Sequence, residues 1–167
     1  MKNSILASVF AISSLTAFAQ KSDIVDIAIS SKDHTTLVAA VKAASLVETL
    51  KSSGPFTVFA PTNAAFDKLP KGTVESLLKP EAKATLSGIL TYHVVSGSLD
   101  ATAVVGAIKA GKGKAVLTTV NGEKLTASLK GDKVILTDAK GGTSTVTATD
   151  LKGTNGIIHV IDTVLMP

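Results

Sequence analysis

The chain has 167 residues, with 17 lysines against 13 acids, no arginine, no cysteine, no tryptophan and a single tyrosine. Without cysteine it has no disulfide, thiolate metal site or thiol nucleophile; without arginine it lacks the bidentate fork preferred for phosphate and base edges. The net charge of +4 and a pI near 9.3 therefore describe a lysine-decorated surface, not a nucleic-acid footprint.

Residues 1–19 read as an export signal. Lys2 supplies the charge, Ile5–Leu15 the apolar stretch and Ala17-Phe18-Ala19 a small-x-small cleavage site. The stretch is shorter than the roughly 20 apolar residues that span a bilayer. Gln20 is then the expected mature N-terminus, and residues 20–167 form one domain large enough to bury its own core. No later apolar segment, GPI-type tail, lipid-attachment cysteine or N-x-S/T acceptor is seen. The expected product is secreted or periplasmic, with no transmembrane anchor.

Asp33 is expected to cap a helix carrying Leu37, Val38, Val41 and Ala44. Ser45 and Glu48 have capping-box spacing for a second short helix. Gly54-Pro55 breaks the pattern, and Phe56–Ala60 reads as a strand buried on both faces and closed by Pro61. Thr62 or Asn63 caps the turn bearing Ala64, Ala65, Phe66 and Leu69, and Thr73 caps Val74–Leu78. Pro80 suits the first turn of a helix with Leu86, Ile89 and Leu90 on its buried stripe. Tyr92-His93-Val94-Val95 leaves that helix extended, and Asp100 caps one more through Ala107.

From Val116 onward the pattern is short strands. Val116–Val120 and Lys124–Leu129 flank Asn121-Gly122, a type I′ turn signal. Val134–Thr137, Ser144–Thr149 and a last strand from Ile157 follow. In that last strand Ile157, His159 and Ile161 share one face, and Ile158, Val160 and Val164 the other. Both faces are apolar, which makes it central and places it beside Phe56–Ala60. Helices first and strands after define an α+β class.

Catalytic patterns are weak. His34, His93 and His159 lack metal-ligand spacing, and there is no G-x-S-x-G elbow. Gly106–Lys112 approximates a phosphate loop, but residue 113 is glycine and the segment leads into a strand. No catalytic residue, metal or cofactor is expected. His159, among apolar neighbours, is expected to be a neutral imidazole satisfied by hydrogen bonds. Lys109, Lys112 and Lys114 form a basic loop, either simply solvated or meeting anionic glycans.

Three segments resemble the fasciclin (FAS1) domain family. Gly54–Phe66 is similar to its first signature, through Phe59-Ala60-Pro61-Thr62-Asn63 and Phe66. Asn155–Pro167 is similar to its second, through Asn155-Gly156, His159, Val164-Leu165 and Pro167. Tyr92-His93 between them matches the family's Tyr-His motif. The resemblance implies a FAS1-like β-wedge of short strands with a helical layer from the N-terminal half. It also implies a role in adhesion outside cells, with an extracellular or cell-surface protein or polysaccharide as partner. Tyr92, His93, Asp150 and Leu151 are then candidate partner-binding residues, Asp150-Leu151 standing where animal matrix members carry an Asp-Ile pair linked to integrin binding. The residues alone favour the structural alternatives, Tyr92 anchoring the end of the preceding helix with His93 hydrogen-bonded locally and Asp150 an ordinary loop acid. The chain looks like the small secreted single-domain members of bacteria. The alternative is a carrier, with an apolar ligand held in a gap between helices and wedge; a third and least favoured reading is an unrecognised hydrolase whose triad is dispersed in sequence and gathered in space.

Overall fold

Two strands with apolar side chains on both faces occupy the middle of the molecule. In the computed structural model, which describes residues 21–167, β1 (Phe56–Pro61) pairs in parallel with β7 (Gly156–Ile161). Val58 lies opposite Ile158, Ala60 opposite Val160 and Phe59 opposite His159. The remaining strands are β2 (Val94–Ser96), β3 (Lys114–Thr118), β4 (Lys124–Lys130), β5 (Lys133–Thr137) and β6 (Thr143–Lys152). They extend the pair into a seven-stranded sheet of order β2-β1-β7-β6-β5-β4-β3, antiparallel apart from β1–β7.

The sheet curls because β6 belongs to both of its halves. Thr143–Thr145 pair with β5, and the stretch from Val146 to Lys152 pairs with β7 across two register shifts. Such bulges bend a strand and sharpen its twist. The two edges then meet, with Val95 bridging Thr119 and the Val120 amide donating to the Val94 carbonyl. Phe59, Tyr92, Leu125, Leu136, Ile161 and Leu165 fill the inside of this wedge.

The opposite face of β1 and β7 carries the helices. These are α1 (Ile24–Ser30), α2 (Thr35–Ala43), α3 (Val47–Lys51), α4 (Asn63–Asp67), α5 (Thr73–Leu77) and α6 (Lys83–Tyr92). Leu37, Val41, Phe66, Leu86 and Ile89 pack with Val58, Ala60 and Ile158 into a second core. A seventh helix, α7 (Ala101–Ala110), buries Val104 and Ile108 in the wedge instead.

Several local expectations need correction. Helix α1 is capped by Asp23 with Asp26 completing a capping box, in a stretch whose β-branched residues give no helical signal. Asp33 does not cap α2: the Ser31 hydroxyl accepts the Asp33 amide, and a 3₁₀ turn over Lys32–His34 precedes the helix. Ser45 forms no capping box, since its φ of 58° takes it out of line and α3 begins after Leu46. Thr73 is the first residue of α5 and follows Gly72, not its cap. Pro80 opens a separate 3₁₀ turn, Pro80–Ala82, before α6. The Asn121-Gly122 turn is not type I′, because only Gly122 has positive φ; Gly122 donates to Thr119 and Thr119 to Glu123, which is a longer loop closed by a glycine bulge. The export signal read in residues 1–19 lies outside the described residues. No helix among the described residues is long and apolar enough to cross a membrane.

Candidate partner-binding site

Tyr92 and His93 lie inside the molecule. Tyr92 ends α6 and is wholly buried, its hydroxyl donating to the Lys124 carbonyl and accepting from the Ala139 amide, both at 3.1 Å. Burial pushes the phenol above its ordinary range. His93 is fully buried as the C-cap of α6. Its Nδ1–H donates to the Ile89 carbonyl at 2.8 Å and its Nε2 accepts the Leu165 amide at 3.0 Å. Burial pulls this imidazole down to about 4, against the Ile89 carbonyl and the Asp138 charge. The pair clasps a helix to a hairpin on one side and to the C-terminal segment on the other. Neither residue reaches the surface.

Asp150 and His159 form a second clasp. Between the pairings Ala148–Val160 and Leu151–Ile158, Thr149 and Asp150 together oppose His159, which makes a bulge. Asp150 takes φ 60° there, uncommon for a residue with a side chain. The turn aims its carboxylate at α7, where Oδ1 accepts the Ala101 amide at 2.8 Å. The N-cap Asp100 accepts the Ala103 amide at 2.7 Å, so two acids serve one helix N-terminus. His159 stacks on Phe59 at 5.6 Å, donates from Nε2 to the Leu99 carbonyl at 2.7 Å and accepts the Asp150 amide at 3.4 Å. Asp150, expected as a candidate partner-binding residue, is thus already engaged within its own fold. Leu151 beside it remains 39 % exposed.

The asparagines of the two signatures tie the helices to the sheet ends. Asn155 accepts the Ile24 amide and donates to the Leu50 and Ser52 carbonyls, so one side chain serves the start of α1 and the end of α3. Asn63 accepts the Thr36 amide and the Thr35 hydroxyl and donates to the Lys32 carbonyl. Thr62 caps α4 through the Ala65 amide. Gly156 has no room for a side chain, because a Cβ would collide with the Phe56 carbonyl on the adjoining strand. Phe59, Ala60, Pro61, Phe66, Val164 and Leu165 are buried, and Pro167 is half-buried.

Outward from Leu151 the chain runs into an open polar groove of about 700 Å³ at one end of the sheet, lined by Lys51, Ser52, Ser53, Ser98, Lys152 and Thr154. Three loops supply these residues, and the β1–β7 pairing brings two of them together. Nothing in their local sequence announces the groove. Lys51 is held by Asp23 and Asp26 at 3.1 and 2.8 Å. Among the described residues no group of three His, Asp or Glu is gathered where a metal could sit. His34, the third histidine, is buried at the N-terminus of α2 with Nδ1 on the Ser31 hydroxyl at 2.8 Å.

A curled seven-stranded sheet, a helical layer on one face of its central parallel pair and a clasped C-terminal segment define a FAS1-type α+β domain. The chain belongs to the Fasciclin domain family, whose model matches residues 32–167. It is 50% identical over 144 residues to Protein sll1483 of Synechocystis sp., covering 86% of this chain and 73% of that one. It is 42% identical over 125 residues to the Cell surface glycolipoprotein MPB83 of Mycobacterium bovis, covering 73% of this chain and 48% of that protein. Among solved structures, a FAS1 domain pair from the insect cell adhesion molecule Fasciclin I has a similar fold. Its TM-score is 0.59 at 22% identity, covering 78% of this chain and 43% of that one.

Proposed function

We propose that this chain is an exported, non-catalytic interaction module that binds another extracellular or cell-surface protein or polymer. Membership of the Fasciclin domain family across residues 32–167 carries this reading. The adhesion molecule that shares its fold and the cell-surface protein among its relatives support it. So does the export signal read in residues 1–19. The contact surface is the exposed Leu151 with Lys152 and the polar groove beside it; Tyr92 and His93 act on it only by holding the fold.

The carrier alternative has less support. An apolar cleft does lie between helices and sheet, lined by Ile24, Val25, Leu37, Val41, Val58 and Ile158. It encloses only about 40 Å³, whereas small-molecule sites begin near 300 Å³.

The test is adhesion of labelled protein to cells of its own host. Leu151→Ser combined with Lys152→Glu should weaken adhesion about tenfold, equivalent to ~1.4 kcal/mol, with an unchanged melting temperature. Undiminished adhesion of the folded double variant would remove this surface from the proposal.

A further inference from the structure

We infer that the outward face of β3–β4–β5–β6 is a docking surface for an acidic polysaccharide. The inference rests on the interaction-module reading and adds to the Leu151 surface a second, separate one, naming the chemistry of what docks there. Residues 21–100 carry eight lysines and eight acids, whereas residues 101–167 carry eight lysines and five acids. The net positive charge of the described chain therefore lies in its stranded half. Within that half, β3, β4 and β5 hold four lysines and no acid.

Strand alternation sends all four to the same side. Ala115, Leu117, Leu125, Ala127, Val134 and Leu136 point into the wedge, so Lys114, Lys124, Lys130 and Lys133 point away from it. All four are exposed, and none has a carboxylate within 4.0 Å; the ion pairs among the described residues are made by Lys51 and Lys68. Lys130 and Lys133 are direct cross-strand partners, an arrangement of like charges that weakens a hairpin. A face serving solubility alone would intersperse the signs.

Between the lysines the face is hydroxyl-bearing. Thr126 pairs with Thr137 and Thr137 with Thr143, and one row along, Ser128 pairs with Ile135 and Ile135 with Thr145. A shallow groove crosses these rows from Lys130 and Lys133 towards Thr147 and Asp162. The Asp162 carboxylate at its far end is held by the Thr145 amide at 2.9 Å; Glu123 and Asp132 sit in the flanking turns. Ammonium groups spaced among hydroxyls suit a chain of sugar rings bearing carboxylates. The strands of this face have no aromatic residue to stack on bases and no arginine. Val116 on β3 and Leu151 at the end of β6 are the large apolar side chains exposed on these strands, too few to hold a lipid surface.

The experiment compares retention of the exported protein on immobilised alginate, on neutral dextran and on phosphatidylglycerol vesicles, at low and high salt. Alginate alone should retain it, and salt should release it. Lys114→Gln/Lys130→Gln/Lys133→Gln should weaken alginate binding about tenfold. The exposed helical-half control Lys71→Gln/Lys79→Gln/Lys83→Gln, with the same loss of charge, should change it less than about twofold. Equal losses in the two triples, equal retention on vesicles, or no retention of the parent protein on alginate would each overturn the inference. Adhesion of the parent protein to host cells without retention on alginate would overturn it and leave the module reading standing.

Discussion

Tyr92 shows how one side chain can be read in two ways until its burial is known. A tyrosine beside a histidine has the chemistry of a contact site, with an apolar body and a polar tip. Here the tip is spent on the Lys124 carbonyl and the Ala139 amide. Tyr92→Phe keeps the ring and strands both backbone groups, which should cost about 1–3 kcal/mol. Urea unfolding at neutral pH measures this as a lower midpoint with unaltered slope. A midpoint equal to that of the parent protein would mean that the two backbone groups find other partners. Adhesion should fall only in proportion to the folded fraction. The same logic governs Asn155, whose partners Ile24 and Leu50 lie 131 and 105 residues away; no local window of sequence contains that information.

Elements differ in how much of their cause is local. β1 and β7 were legible because both faces of each are apolar, and only a central strand can bury both. α7 was legible from Asp100, and α4 from Thr62, because a cap and its amide lie within one turn. Helix α1 was not, since Ile24, Val25 and Ile27 favour strands and are helical here through packing against α2, α3 and the sheet. The bulge in β6 was not legible either. Its position is fixed by His159 and by a helix whose first amide is 49 residues from Asp150. This gives a prediction whose sign separates cap from strain. Asp150→Ala loses the bond to Ala101 and keeps a left-handed backbone that alanine resists, so it should cost about 1–2 kcal/mol. Asp150→Gly loses the same bond but frees the backbone, and should cost less. Thermal melts of the two variants decide it; glycine worse than alanine would mean that φ at this position carries no strain.

At the scale of the molecule, His93 stands where the helical layer, the wedge and the C-terminal segment meet, so its protonation should be felt by the whole fold. The unfolded chain gains a proton near 6.5, whereas the folded chain resists until about 4. Between those values the unfolded state binds the extra proton, so stability present above pH 6.5 is lost as the pH falls towards 4. For a shift of this size the loss is about 3 kcal/mol. His34, also pulled down by burial, adds a contribution of the same sign in a window beginning at the same unfolded value. Asp23 and Asp162 are held below the ordinary carboxylate range: burial alone would raise them, but the hydrogen bonds they accept outweigh it. Their contributions are lost only below about 3.8, beneath the histidine window. Urea unfolding of the parent protein from pH 7.5 down to pH 4.5 should therefore show falling stability well before the acids titrate. His93→Gln, which can still donate to Ile89 and accept from Leu165, should lower stability at neutral pH and flatten that fall by about one proton's worth. A parent protein equally stable across the window, or a variant with the same slope, would mean that His93 is not the group that couples the three parts of the fold.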